Sequence, residues 1–220
     1  MPIKVNLHQI KSQLPNHVTL VAVSKTKPVA DLMEAYNAGQ RIFGENYVQE
    51  LVEKQQELPK DIQWHFIGHL QSKKVKLIAP FVSLIHGVDS LKLLEEINKQ
   101  TQKNNRVIDC LLQIYIAEEE SKFGLDEKEL TEILSSEEFK NLKNIKIIGM
   151  MGMATFTNNQ NQIKKEFQNL KTIFDKVSQL KTENCQLNTI SMGMSGDYKL
   201  AIECGSTMIR IGSSIFGGRK

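Results

Sequence analysis

An eightfold alternation restricts the fold of this chain more than any other feature. Short apolar runs recur near 18–24 (VTLVAVS), 40–43 (QRIF), 63–67 (QWHFI), 82–86 (VSLIH), 106–116 (RVIDCLLQIYI), 144–150 (NIKIIGM), 186–191 (QLNTIS) and 207–211 (TMIRI). Each but the last is followed by a stretch of helical period. Over 160–180, Ile163, Phe167, Leu170, Phe174, Val177 and Leu180 recur at three- and four-residue steps and make one apolar face. Leu91, Leu94 and Ile97 do the same over 90–102, and Asp126 with Glu129 resembles a capping box opening a helix over 127–137. Helical period also marks 29–38, 46–57, 73–79 and a short 197–204. A helix over 4–14 precedes the first strand and makes residues 1–16 an N-terminal helical extension.

Strands that alternate with helices pair in parallel through right-handed crossovers. Eight such units imply a closed (β/α)8 barrel, and a doubly wound open sheet is the structural alternative. At 220 residues the chain suits one domain, compact beside the usual barrel of about 250. The formal charge is only +3 and basic residues are mixed with acidic ones, so neither nucleic acid nor an anionic membrane is an expected partner. The densest basic cluster, KKVK at 73–76, reads as a solvated helix face or as help in holding an anion. Cys110, Cys185 and Cys204 are scattered and form no CxxC, which fits a reducing cytoplasm. No signal peptide and no spanning segment is expected.

Barrels gather function at the C-terminal ends of their strands. The first end offers Ser24, Lys25, Thr26 and Lys27; the second, Gly44, Glu45 and Asn46; the third, His65; the fourth, His86. The fifth is followed by EEESKFG with Lys122, and the sixth gives GMMGMAT. SMGMSGD and RIGSSIFGG close the seventh and eighth. Gly193, Ser195, Gly196, Gly212, Ser213 and Ser214 are suited to a phosphate cradle, where glycine lets the backbone approach and hydroxyls donate. Gly and Ser are also common in ordinary strand-to-helix turns. GMSGD is not a nucleophile elbow, HFIGH lacks the glutamate of a zinc helix, and neither a P-loop nor a dinucleotide fingerprint occurs.

A lysine amine attacks a carbonyl only when neutral, and desolvation or a nearby cation lowers its pKa. Lys27 is a plausible cation for Lys25, since residues two apart on an extended chain share a face. A phosphate site, an activated lysine and Arg210 on the eighth strand together suit pyridoxal 5′-phosphate (PLP). Taken singly, Lys25 reads first as an exposed strand-end lysine, and Arg210 reads equally as a salt-bridged barrel residue.

AVSKTKP, FGENYVQE, WHFIGHLQ, ISMGMSGD and GSTMIRIGSSIFG, in this order over about 18–218, resemble the YggS/PROSC family of pyridoxal phosphate homeostasis proteins. The resemblance implies a single PLP-binding barrel domain, 1–220, of fold-type III, like the N-terminal domain of alanine racemase. It implies a Schiff base on Lys25, the first lysine of the S-K-T-K-P motif. Ser195, Arg210, Gly212 and Ser213 would surround the phosphate and ring with Asn46 nearby, and Lys27 and Lys122 would assist cofactor exchange. It also implies a monomer, with apo PLP-dependent enzymes as possible recipients. Three departures stand out: Lys73 where the family has asparagine, Ser213 where threonine is common, and no proline in GMMGMATFT.

A guanidinium only donates hydrogen bonds, so Arg210 opposite the pyridine nitrogen would keep that nitrogen unprotonated and the ring a weak electron sink. Racemases add a tyrosine base from another domain. The sequence ends at Lys220, just past the barrel, and none of Tyr36, Tyr47, Tyr115 and Tyr198 is assignable to that role. The expected function is storage, buffering or delivery of PLP without physiological catalysis. The alternatives are an amino-acid racemase or related lyase, and an interaction protein stabilised by its cofactor.

Overall fold

The computed structural model describes residues 2–119, 121–179 and 183–218. Among these, eight parallel strands close into a barrel in chain order. They are β1 (Thr19–Val23), β2 (Ile42–Glu45), β3 (Gln63–Phe66), β4 (Leu84–Val88), β5 (Ile108–Gln113), β6 (Ile145–Met151), β7 (Cys185–Ser191) and β8 (Met208–Ile211). The helices are α1 (Ile3–Ser12), α2 (Val29–Asn37), α3 (Val48–Glu57), α4 (Val75–Ile78), α5 (Leu91–Lys103), α6 (Glu127–Ser135), α7 (Glu137–Lys140), α8 (Gln160–Val177), α9 (Tyr198–Glu203) and α10 (Ser213–Phe216). All eight expected strands are present, and the open sheet is ruled out by the β1–β8 pairing of Thr19–Ala22 with Met208–Ile211.

The strands divide their residues by the period of two that a pleat imposes. On β1, Leu20 and Ala22 join the large core between sheet and helices, while Val21 joins Leu84, Leu111, Met151 and Met208 in a small inner cluster. The same phase carries polar groups inward. His86 lies two residues from Leu84, Arg210 two from Met208, and His65 pairs in register with Leu84. All three are buried. His86 is therefore a barrel-interior residue in mid-β4 rather than a group at a strand end.

Helix boundaries follow local chemistry. The capping box at Asp126 and Glu129 forms, with Glu129 N–H donating to Asp126 Oδ1 at 2.7 Å and Asp126 N–H to Glu129 Oε2 at 3.0 Å. The single helix expected over 127–137 is broken at Ser136, whose extended backbone and Oγ cap a new turn by accepting from Phe139 N–H. α8 buries Ile163, Phe167 and Leu170 of the expected face, leaves Phe174 and Val177 half-buried, and buries Ile173 in addition; Leu180 lies outside the described residues. α10 follows β8 and completes the alternation that the sequence pattern left open. α1 packs outside the barrel, with Asn6 Nδ2 donating to Ile215 O of α10 at 3.0 Å and Lys4 N–H to Glu34 of α2 at 3.0 Å.

Candidate functional site

A cavity of about 700 Å³ opens among the C-terminal ends of the strands, and Lys25, Lys27, Asn46, Ser195, Arg210, Gly212 and Ser213 all line it. The fold thus assembles these seven, with Gly196, from four strand ends, while Gly193, Ser214 and Lys122 lie outside the lining. Lys122 lies on the loop after β5, outside this lining, where its Nζ pairs with Glu119 at 3.0 Å. Ser121, Phe156 N–H and Lys122 together hold the Glu119 carboxyl down to about 2. Lys73, the departure at the β3–α4 loop, is exposed and also outside the lining.

Lys25 does not sit on an extended chain. β1 ends at Val23, Lys27 N–H donates to Ser24 O at 3.1 Å, and Thr26 turns the chain with φ of 64°. The expectation that Lys25 and Lys27 share a strand face is therefore corrected. Lys27 bends back instead, and its Nζ donates to Phe216 O at 3.0 Å and Gly218 O at 3.1 Å. A left-handed threonine costs about 1–2 kcal/mol, because Cβ crowds the following carbonyl.

Beneath this turn lies a cluster that sequence reading missed. Lys54 of α3 is 5% exposed. Its three ammonium hydrogens are matched by Ser24 O, Glu45 Oε1 and Glu50 Oε1, each at 2.7 Å. Ser24 Oγ donates to Glu45 Oε1 at 2.6 Å, and Thr26 N–H to Glu50 Oε1 at 2.6 Å. Glu45 pairs in register with Phe66, a residue of the outer core, so the cluster lies between barrel and helix rather than in the mouth. Burial pushes the Glu45 carboxyl up, against the pull of Lys54 and Ser24.

The turns after β7 and β8 lie side by side, joined by Ser214 N–H to Ser195 Oγ at 3.4 Å. Gly193 has φ of 96°, and a Cβ there would meet Ala201 Cβ at 2.6 Å, so no other residue fits the turn. Gly196 differs: a Cβ there meets no protein atom within 4 Å. The space above it belongs to the cavity. Across the mouth, Asn46 Oδ1 is buried without a hydrogen-bond partner; among the described residues only Glu45 Oε2 shares that condition. An unpaired buried acceptor costs about 1–3 kcal/mol unless a ligand or water supplies a donor. Vacant space over glycine and an orphaned acceptor both fit a bound polar ligand.

Arg210 forms the floor. Its Nη1 donates to Ser191 O at 2.8 Å and Ser191 Oγ at 2.7 Å, and its Nη2 to Gly152 O at 3.1 Å. No ion pair to it exists among the described residues, so its partners are neutral acceptors rather than a salt bridge. Burial lowers its pKa to about 10, and it remains a cation at neutral pH. A chain then descends into the barrel, Ser191 Oγ to His86 Nδ1 at 3.1 Å and His86 Nε2 to His65 Nδ1 at 3.1 Å. With Arg210 donating to Ser191, the hydroxyl hydrogen is free to point to His86 Nδ1, which leaves His86 Nε2–H to donate to His65. Burial first, then His65 and Arg210, push the His86 pKa well below 6.5; burial lowers His65 to about 3. His65 and His69 make no metal pair, since His69 is on the surface against Asp89 at 3.5 Å.

The alanine racemase N-terminal domain family matches residues 2–220. The pyridoxal phosphate homeostasis protein of Haemophilus influenzae is 41% identical over 207 residues, which is 93% of this chain and 86% of that protein. The chain belongs to the pyridoxal phosphate homeostasis protein family. Among solved structures, PipY of Synechococcus elongatus with PLP bound is 36% identical, with a TM-score of 0.88 over 98% of this chain and all of that one. PipY without PLP superposes with a TM-score of 0.91. Alanine racemase of Clostridium difficile, 17% identical, has a TM-score of 0.79 over 99% of this chain and 56% of its own length. At that identity the likeness is one of fold, and it agrees with the closed barrel of this family member. No helix among the described residues is long and apolar enough to cross a membrane.

Proposed function

We propose that this chain, as a single domain over 1–220, binds PLP as a Schiff base on Lys25 and stores, buffers or delivers the cofactor in the cytoplasm as a monomer. The observation that carries the reading is the meeting of Lys25, the paired β7 and β8 turns and Arg210 around one cavity. The family's name and the PLP-bound PipY structure point the same way. When bound, PLP supplies an aldehyde for condensation with an amine and an electron-poor pyridine ring. The residues of this chain would divide the work. Lys25 offers the amine. Ser195, Gly196, Gly212 and Ser213 offer hydroxyl and backbone donors to the phosphate. Asn46 Oδ1 offers an acceptor to a donor at the ring edge. Arg210 offers hydrogen-bond donors to the pyridine nitrogen and withholds a proton from it, because a guanidinium has none to spare at neutral pH. Lys27 would aid exchange by releasing the 216–218 turn, and Lys122 would act from the rim; recipients are apo PLP-dependent enzymes.

The racemase reading needs a second base. No tyrosine lines the cavity among the described residues. Incubation with PLP and enantiopure alanine tests this, and unchanged optical rotation is the expected result. Transfer of cofactor to an apo-enzyme separates delivery from passive retention.

Two variants probe the cradle and the floor. Gly196→Val is expected to fold, because its Cβ meets no protein atom within 4 Å, yet to fill the phosphate's space. PLP affinity should fall about tenfold, or about 1.4 kcal/mol, while affinity for pyridoxal, which lacks the phosphate, stays near wild type. Equilibrium dialysis of both ligands checks it. Arg210→Leu strips Gly152 O of its donor, while Ser191 O keeps the Gly152 N–H at 3.1 Å. One orphaned carbonyl against relief of a buried charge gives a stability change within about 2 kcal/mol in urea unfolding. A far larger loss would assign Arg210 to the fold rather than to the ligand.

A further inference from the structure

The cluster between α3 and the first strand end has no evident part in holding a ligand, since it lies on the outer side of the barrel wall. It is nonetheless built at high cost for a packing contact. Two carboxyls and one ammonium are gathered where apolar residues would pack, and the ammonium has no hydrogen to spare. Its contacts fall on both neighbours of Lys25: Ser24 is gripped through its carbonyl and hydroxyl, and Thr26 through its N–H. Between those fixed points stands Lys25, which lines the cavity together with Thr26 and Lys27. Thr26 itself is held in the left-handed region, where a β-branched residue does not stay unaided.

We propose that Lys54, acting with Glu45 and Glu50, is a positioning residue that locks the 24–27 turn and aims Lys25 into the barrel mouth. This inference rests on the reading that Lys25 carries PLP. Without the lock, Thr26 relaxes towards an ordinary backbone conformation and swings the Lys25 stem away from the cavity. β8 adjoins β1, but the Lys54 ammonium makes its bonds to Ser24, Glu45 and Glu50 and not to the turns after β7 and β8, which are tied to each other by Ser214 N–H and Ser195 Oγ. The consequence is selective, with aldehyde capture suffering and phosphate recognition preserved.

The test compares PLP with pyridoxamine 5′-phosphate, which keeps the ring and phosphate and lacks the aldehyde. The full-length protein and its Lys54→Met, Lys54→Arg, Thr26→Gly and Thr26→Gly/Lys54→Met variants are titrated with each ligand, with Lys25→Ala alongside. Should Lys54→Met not fold, Glu45→Gln/Lys54→Met, which removes two buried charges together, replaces it. Lys54→Met is expected to bind PLP about tenfold more weakly, a loss of about 1.4 kcal/mol, because part of the population no longer presents Lys25 to the aldehyde. Its affinity for pyridoxamine 5′-phosphate should change less than about twofold, and Lys54→Arg should recover part of the PLP loss. In the Thr26→Gly background the Lys54 effect should shrink to less than about threefold, because glycine holds a positive φ without help. Equal weakening of both ligands, or of neither, overturns the positioning role. An imine band, at longer wavelength than PLP's own absorbance, that persists in Lys25→Ala overturns the underlying lysine assignment instead.

Discussion

Lys25→Ala is expected to show only the absorbance of PLP itself when the cofactor is added, where the wild type develops a further band at longer wavelength. The band requires a carbon–nitrogen bond between the aldehyde and an amine, and the first strand end delivers two lysines to the cavity, Lys25 and Lys27. Lys27 cannot substitute readily. Its Nζ is committed to two carbonyls of the 216–218 turn, and the left-handed Thr26 separates its backbone direction from that of Lys25. Affinity should fall about 100-fold, which is about 2.8 kcal/mol. It should not vanish, because charge-assisted hydrogen bonds to the phosphate, each worth about 1.5–3 kcal/mol, survive the change. Equilibrium dialysis measures the residual binding, and borohydride reduction followed by peptide mapping locates the modified lysine in the wild type. Label on Lys27 or Lys122 would move the Schiff base and leave the phosphate cradle standing.

The barrel was legible because each strand is an apolar run too short for a helix, bounded by an amphipathic segment. Closure followed from the count of units alone. The cradle was legible in part: glycines and serines after β7 and β8 mark sharp turns, but only the structure separates Gly193, required by φ and contact, from Gly196, which leaves space. The inner hydrogen-bond chain left a trace that went unused. In QWHFI, VSLIH and TMIRI a polar residue occupies the strand phase shared with barrel-facing neighbours, which places His65, His86 and Arg210 inside. The Lys54 cluster left a similar trace, since Lys54 follows Val48 and Leu51 at three-residue steps and shares the buried face of α3. Its partners Ser24 and Glu45, distant in sequence, were legible only in the structure. Thr26 is silent, since threonine carries no signal for a left-handed turn.

The two interior histidines make acid stability the other large expected effect. Both are neutral in the fold, His65 with its pKa lowered to about 3 and His86 well below 6.5. In the unfolded chain each returns to about 6.5. The unfolded state therefore binds more protons below that value, so stability falls as pH falls from 6.5 towards the folded values. His65 contributes a loss of about 2 kcal/mol between pH 7 and pH 5, and His86 adds to it in the same direction. The groups facing them do not cushion this. Arg210 repels a proton on His86, each imidazole repels one on the other, and Ser191 is neutral. Glu45 and Asp197, whose carboxyls burial raises, work in the opposite direction by shedding a charge penalty as acid is added. Isolating the histidine effect therefore needs a variant. His86→Asn keeps an acceptor for Ser191 and a donor for His65 and cannot titrate. Urea unfolding at a series of pH values should give a slope against pH in this variant about half that of the wild type between pH 6 and 5. Its stability at pH 7 can be lower without affecting the comparison, because the slope counts protons and not contacts. Equal slopes in the two proteins would mean that His86 is already charged in the native barrel, and that the chain from Arg210 runs with a different set of donors and acceptors.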